Sequence, residues 1–561
     1  MNRSIPGLIV LAAVVAACAG SGARYSAADL RAAEDSIRGE EFLAHVRVLS
    51  SDKFEGRAPG TEGERLTVEY LSAQFAALGL KPGNPDGTWV QDVPLVGLTG
   101  QRSASLSVKG KGLRMKFPDD YVSVSRRFTP HSEVTDSGVV FVGYGVVAPE
   151  YGWDDYKGVD VRGKTIVMLI NDPQIPRADD ASKLDDSMFG GRAMTYYGRW
   201  TYKYEIASEK GAAAAMIVHE TGPAGYPYEV VSGSWGRENF DIDRDDGNAG
   251  RVPIEGWLTE ERARTLFERS GTSFDQMKQA ALKRDFKPIA LPAKASFTVD
   301  STIRRVASKN VVAKLEGSDP ALKDQIVVYS AHWDHLGKDP NLEGDQIFNG
   351  AFDNATGTAA LLELAEAYTR LPAPPRRSVL FLAVTAEEKG LLGSKWYAAH
   401  PLYPLTRTVA NINMDGIEIL GRTNDVAVVG KGQSTLEDTL AAQVQAQGRV
   451  LVAEQQPEKG YYYRSDHFEF AKVGVPALYQ HSGEDYVGRP AGWGRAKSDE
   501  YTAKNYHKVS DEISADWTPD GAVQEIQLLL RVGIDVASTD QWPQWKAGSE
   551  FKARRDAIMQ K

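Results

Sequence analysis

Residues 326–354 read IVVYSAHWDHLGKDPNLEGDQIFNGAFDN, and this stretch decides the fold. Ile326, Val327, Val328 and Tyr329 form an apolar run that reads as a buried strand. His332, Asp334 and His335 follow at its carboxyl end, where open α/β sheets place their ligands, and Asp353 and Asn354 then open an alanine- and leucine-rich helix. Imidazole and carboxylate together suit a divalent transition metal. Taken alone the run also fits a solvated polar loop, because loops collect polar residues. The surrounding chain favours the first reading.

Outward from this stretch the pattern is α/β. Val311 to Leu315 and Gln325 to Ser330 read as strands, Asn354 to Leu371 as a helix and Ser378 to Thr385 as a strand that ends on Glu387 and Glu388. A helix over Leu392 to Ala399 follows, then a strand over Val409 to Met414 ending at Asp415, a helix from about Thr435 and a strand over Val475 to Tyr479. Polar residues repeatedly stand where an apolar strand stops. Strands alternating with helices predict a mixed, largely parallel sheet flanked by helices, with its site along the carboxyl edge.

Upstream, Ala27 to Val48 is helical in pattern, Leu49 to Gly60 (LSSDKFEGRAPG) is a turn-rich connector, and Glu62 to Leu78 forms a second helix stopped by Gly79. Between His131 and Asp300 the character changes to short β patterns, including Gly138 to Val146 and Lys164 to Asn171. An alanine-rich helix over Ala207 to Ala215 there feeds Met216 to His219. This block separates two halves of one α/β unit and reads as an inserted, β-rich domain.

The expected organisation is therefore a signal segment over 1–18, the amino-terminal part of the α/β domain over 19–130 and the insertion over 131–300. The carboxyl-terminal part with the metal site takes 301–545, and a tail takes 546–561. A chain of 561 residues is too long for one hydrophobic core, so several units are the natural expectation. The net charge of -10, with no long basic run, argues against nucleic acid as a partner.

The amino terminus carries its own address. Arg3 supplies a positive end, Ile5 to Ala17 are apolar or small, and the run is too short to span a bilayer securely. Val15, Ala16, Ala17 and Cys18 resemble a bacterial lipobox, which implies acylation at Cys18 and a lipid anchor. Cys18 is also the only cysteine, so no disulfide framework exists to explain it. The expectation is an exported lipoprotein at the outer membrane or the periplasmic face, or a secreted protein.

Five groups stand in strand-following or loop positions: His332, Asp353, the pair Glu387 and Glu388, Asp415, and His507. The motifs AHWDHLG, FNGAFDNATG, TAEEKGLLGS, NMDG and YHKVSDE around them resemble, in order, those of the co-catalytic di-zinc exopeptidase family of bacterial aminopeptidases. Glutamate carboxypeptidase, glutaminyl cyclase and the non-enzymatic transferrin receptor are more distant relatives. The likeness implies a zinc exopeptidase fold in which Asp353 bridges two zinc ions. It implies that His332 and Asp415 complete one metal site, and Glu388 and His507 the other. Each ion then has one imidazole, one carboxylate and the shared bridge, which leaves a position for water.

Glu387 becomes the general base towards a metal-bridged hydroxide, since adjacent side chains diverge and Glu387 does not reach the ions that Glu388 holds. Asp334, two residues after His332, is by the same likeness the carboxylate that orients the imidazole. Tyr461, Ser465, Asp466 and His467 in YYYRSDHFEF, and His481 in QHSGED, are candidates for contact with substrate. Val509 stands where many relatives have proline, a departure that bears on how the loop presents His507. Gly357 is expected to let the first helix turn approach the sheet.

The sequence GVVFVGYGVVAPEYGWDDYKGVDVRGKTIVML, with EKGAAAAMIV later, resembles the protease-associated domain of several exopeptidases, which implies a lid or an access element. The leading expectation is an aminopeptidase acting on peptides. A carboxypeptidase, which needs a cationic pocket drawn from Arg422, Arg464, Arg489 or Arg495, and a glutaminyl cyclase share the ligand set. A lipid-anchored receptor without catalysis is disfavoured by the complete set of ligands. A serine hydrolase lacks its Gly-x-Ser-x-Gly elbow.

Overall fold

A computed structural model of the chain describes residues 25–560. The expected signal segment 1–18 and its Cys18 lie outside the described residues. The centre of the fold is the strand Ile326–His332, which pairs in parallel with Ser378–Val384 on one side and Thr408–Asn413 on the other. Thr408–Asn413 in turn pairs in parallel with Ala477–Ser482. Every residue of the three strands Ile326–His332, Ser378–Val384 and Thr408–Asn413 is buried, as expected for parallel strands covered on both faces. The sheet turns antiparallel outside them: Asp425–Val428 lies against Ala477–Ser482, and the end of the long strand Ile289–Leu315 lies against Ser378–Val384.

Helices cover both faces of this mixed sheet. Thr356–Thr369 is buried along almost its whole length, because it runs between the strands and the helices Gly39–Leu49 and Asp520–Ser538. A helix apolar on all sides belongs in such a place. The opposite face is closed by a cluster that includes Tyr397, Phe468, Phe470, Trp545 and Phe551. The helix predicted over Ala27 to Val48 divides into Ala27–Asp35 and Gly39–Leu49, and the former opens on a capping box between Ser26 and Asp29.

Residues 106–299 surround two hydrophobic clusters of their own. The link to the metal-bearing half is a ribbon in which Val90–Val108 pairs antiparallel with Ile289–Leu315, in register from Val90 opposite Val311 to Val108 opposite Ala293. Leu106, Val108, Leu113 and Tyr121 pack into these clusters, so the boundary expected at residue 131 falls inside the second unit. Tyr121–Val124 pairs with Ile254–Thr259 there. The helix expected over Ala207 to Ala215 also differs: it occupies Trp200–Glu209, and Ala214–His219 is a fully buried strand. Ala214 and Ala215 sit between two parallel neighbours, where the ladder overrides the helical preference of alanine.

Candidate metal centre

The strand ends converge at the carboxyl edge of the parallel sheet. His332 closes Ile326–His332, Glu387 and Glu388 begin a short turn after Ser378–Val384, and Asp415 lies two residues after Thr408–Asn413. Asp353 arrives on the loop before Thr356–Thr369. Its backbone is fixed by Asp511, whose carboxylate accepts the N–H groups of Phe352 and Asp353 at 3.1 and 3.0 Å. Asn354 ties this loop to the Asp415 loop. Its amide donates to the Met414 carbonyl at 3.0 Å, and its amide oxygen accepts from Gly357 at 2.9 Å and Gly416 at 3.0 Å. Any side chain at Gly357 would collide with that amide, which is the close approach the glycine permits.

The side chains meet around Asp353. One carboxylate oxygen, Oδ1, lies 3.4 Å from His332 Nε2, and Oδ2 lies 3.3 Å from His507 Nε2. His332 Nε2 is also 3.4 Å from Asp415 Oδ1, and His507 Nε2 is 3.1 Å from Glu388 Oε2. A charge-assisted hydrogen bond would draw such pairs to about 2.7–2.9 Å. Two ligands of one tetrahedral ion with bonds of about 2.0–2.1 Å stand roughly 3.3–3.4 Å apart instead. Three of the four separations match corners of a tetrahedron, the His507–Glu388 pair being shorter, and each oxygen of Asp353 faces a different imidazole. The donor set fits zinc. His507 takes its place in this cluster with Val509 two residues on.

His335, read from the sequence as a neighbour of the ligands rather than one of them, stands at the cluster. It is fully buried, and its Nδ1 lies 2.6 Å from Glu388 Oε1. His335, Asp353 and Glu388 lie close enough together to hold an ion, and His507 Nε2 stands 3.3 Å from Asp353 and 3.1 Å from Glu388; the 2.6 Å contact of His335 is a hydrogen-bond length. His335 therefore orients Glu388, whose other oxygen faces His507. Its signal in the sequence was its place in the same post-strand loop as His332.

Asp334 differs from expectation in the way it acts. The His332 Nδ1 partner is the backbone carbonyl of Asp334 at 3.1 Å, and the nearer carboxylate oxygen stands 3.7 Å away. That oxygen accepts the backbone N–H of Glu387 at 3.0 Å, so the carboxylate holds the Glu387 turn beside the imidazole.

Burial is the largest influence on His507, Asp353 and Glu387, yet charge pairing overrides it at the first two. Burial pushes His507 down, but Glu388 and Asp353 outweigh it and hold the imidazole up at about 9. Burial pushes Asp353 up, and His332 and His507 bring it well below the usual carboxylate range. Glu387 goes the other way: burial pushes it well above the ordinary value, with Asp415 and Glu388 adding to the rise against the pull of His332. Burial and Asp353 push Glu388 up, but His507 and His335 outweigh them and hold it low, so two neighbouring glutamates are shifted in opposite directions, the pattern by which acid–base and ligand roles separate.

A cavity of about 290 Å³ opens on the cluster, lined by Asp353, Glu387, Asp415 and His507 at its chemical end and by Phe352, Ile419, Leu420, Val429, Tyr479 and Tyr501 along its apolar wall. Of the residues expected to contact substrate, Tyr461, Ser465 and His481 line this cavity. Asp466 and His467 do not: the first accepts a hydrogen bond from Ser394 at 2.6 Å, and the second packs between Tyr462 and Tyr479. They open the helix His467–Lys472, whose first turn points into the core. Burial lowers His467 to about 3, which keeps it neutral.

Residues 310–530, which contain the whole cluster, match the family model described as Peptidase family M28. The chain carries a peptidase family M28 domain. The M28 region is similar to leupeptin-inactivating enzyme 1 of Streptomyces exfoliatus, 27% identical over 36% of this chain and 43% of that protein. It is also similar to aminopeptidase YwaD of Bacillus subtilis, 29% identical over 30% of this chain and 29% of that one. The chain spans less than half the length of these curated relatives. Among solved structures, the aminopeptidase from Aneurinibacillus sp. strain AM-1 superposes with a TM-score of 0.53 at 18% identity, covering 91% of this chain and 97% of the other. That likeness extends the shared fold beyond the M28 domain to the second unit.

Proposed function

We propose that the chain is a zinc-dependent aminopeptidase that holds two zinc ions and removes residues from the free amino terminus of peptides. The observation that carries this reading is the pair of half-sites built on Asp353, with Glu387 facing the cavity and taking no part in them. His332 and Asp415 would hold one ion and His507 and Glu388 the other, with Asp353 between them. When bound, the ions supply Lewis acidity, which lowers the pKa of water and polarises the scissile carbonyl.

The chain's own part is proton transfer and placement. The Glu387 carboxylate takes a proton from the attacking water as its oxygen bonds to the carbonyl carbon. The same carboxylate then delivers that proton to the amine nitrogen as the C–N bond breaks. Asp334 fixes the turn that presents it. The apolar wall of Phe352, Ile419, Leu420 and Tyr501 receives the side chain of the residue being released. The curated relatives named as aminopeptidases support the amino-terminal direction, and the motifs of residues 138–169 and 209–218 support assigning the second unit as a protease-associated domain.

The test joins metal analysis to a substrate panel. Purified protein dialysed against zinc-free buffer is expected to retain two zinc equivalents. It should cleave aminoacyl substrates with a free amine and lose that activity on chelation and regain it on zinc addition. Equal turnover of amino-terminally acetylated peptides, or preference for carboxyl-terminal or glutaminyl substrates, would overturn the assignment.

A further inference from the structure

The connector LSSDKFEGRAPG ends in a device that the metal chemistry above does not use. Glu55, Gly56 and Arg57 lie in the left-handed region, at φ values of 51, 66 and 51°. Three such residues in succession, two of them not glycine, persist only where their surroundings demand it. A side chain at Gly56 would strike the backbone oxygens of Phe348 and Gly337, so this coil is docked against both loops of the site. The consequence is that Arg57 turns inward and is 1% exposed.

Among the described residues its guanidinium makes no ion pair. It donates from Nε to the Trp333 carbonyl at 2.8 Å, from Nη1 to the carbonyls of Leu49 and Asn349, each at 2.6 Å, and from Nη2 to the Gly350 carbonyl at 2.8 Å. The backbone oxygen of Arg57 accepts from the His335 N–H at 3.4 Å. Trp333 is the residue after His332, and Asn349 and Gly350 lead into Asp353. One rigid fork therefore spans the two loops that bring His332 and Asp353 together. Asp334, Asp511, Asp353 and Glu388 all act on this cation, which keeps its charge against burial; burial has lowered it only to about 10.

We propose that Arg57 is a positioning residue of the metal centre: its planar fork sets the separation of the His332 and Asp353 loops, and its charge sits beneath their carboxylates. The inference rests on reading the cluster as a metal site. A lysine in its place retains the charge but loses the planar geometry that reaches four carbonyls, and a methionine loses both. Partners that orient ligands in this way are worth about 10–100-fold in metal affinity.

The experiment measures zinc affinity of the full chain by competition with a chromogenic chelator, alongside Tm and kinetics. Arg57→Lys is expected to weaken the tighter zinc by about 10–100-fold and Arg57→Met by more. At limiting zinc, kcat should fall while KM stays within about twofold, because the cavity wall is untouched. Phe54→Ala, in the same connector and 5% exposed, should lower Tm without altering zinc affinity.

Folded Arg57 variants with the parent's affinity would overturn the proposal, as would a Phe54→Ala protein that loses just as much. If neither Arg57 variant folds, Gly56→Ala provides the test. Its Cβ would strike the carbonyl oxygens of Phe348 and Gly337 and displace the coil that carries Arg57, so unchanged zinc affinity there also refutes the proposal. A parent chain that binds no zinc defeats this inference and the proposed function together. A zinc-binding parent with unaltered variants defeats this inference alone.

Discussion

Glu387→Gln separates the chemistry from the metal site, and its effect follows from what Glu387 touches. Among the described residues its carboxylate is in no hydrogen bond with the protein; its backbone N–H is held by Asp334, and its carbonyl accepts from the N–H groups of Gly390 and Leu391. Glutamine has the same shape and leaves those backbone contacts in place. It removes one capacity, the ability to hold and return a proton. A positioned general base contributes about 10²–10⁴-fold, which raises the barrier by roughly 2.7–5.5 kcal/mol when it is lost. The expected outcome is a kcat lower by that factor on an aminoacyl p-nitroanilide, with KM within about threefold of the parent. Zinc content and Tm should be unchanged, because His332, Asp353, Glu388, Asp415 and His507 keep their spacing. Retention of more than about a tenth of the activity with both metals in place would place the base elsewhere. Loss of zinc together with activity would make Glu387 a ligand and invert its assignment with Glu388.

Two further substitutions test the fold that carries the site. Glu363, 1% exposed in Thr356–Thr369, is raised to about 7 by burial, with Glu366 adding and the Arg38 N–H opposing. A carboxyl with a folded pKa above its unfolded value favours folding fully only below about pH 4.5, and that advantage is lost as pH rises through 7. Glu363→Gln keeps the acceptor for Arg38, so it should gain on the order of 2 kcal/mol at pH 8 and nothing at pH 4, read as a Tm difference between the two conditions. Gly533, inside Asp520–Ser538, faces the hydroxyls of Tyr329 and Tyr368, which are themselves joined at 3.2 Å and buried. Gly533→Ala should cost about 3 kcal/mol from overpacking in spite of the better helix propensity of alanine; a higher Tm would show that the contact yields.

The parts of the fold legible in the sequence are those whose cause is periodic. A largely apolar run followed by a polar residue marks Ile326–His332, Ser378–Val384 and Thr408–Asn413, since strands covered on both faces have no room for regular alternation. His332, Glu387, Glu388 and Asp415 were found by standing after such runs. Arg57 and Asp511 were not found in their roles. Arg57 and Asp511 act on backbone carbonyls and amides, which belong to every residue and leave no pattern. The boundary of the second unit was missed for a related reason. Val90–Val108 and Ile289–Leu315 run through the junction as continuous strands, without a turn signal to mark where one core stops and the next begins. His467 misled in the opposite sense: it neighbours Ser465, which does line the cavity, but helix geometry turns it into the core.

The second unit contributes none of the proposed ligands, yet it takes part in shaping what reaches them. The turn Pro457–Lys459 precedes Tyr461, Arg464 and Ser465 on the cavity wall, and it is held from outside. Met194 donates its N–H to the Pro457 carbonyl at 3.0 Å, Asn171 donates to the Glu458 carbonyl at 3.1 Å, and Arg192 pairs with Glu458 at 3.0 Å. Tyr226 lies under the Arg464 guanidinium at 5.0 Å, and Gly225 reaches the cavity itself. These contacts fall on the binding wall and none falls on the half-sites around Asp353. Movement of the second unit would therefore reshape the space a peptide occupies while leaving the ligand spacing intact. Under the proposed function its contribution is expected in KM and substrate preference and that of Glu387 in kcat, so weakening the Arg192–Glu458 pair should move KM while kcat holds.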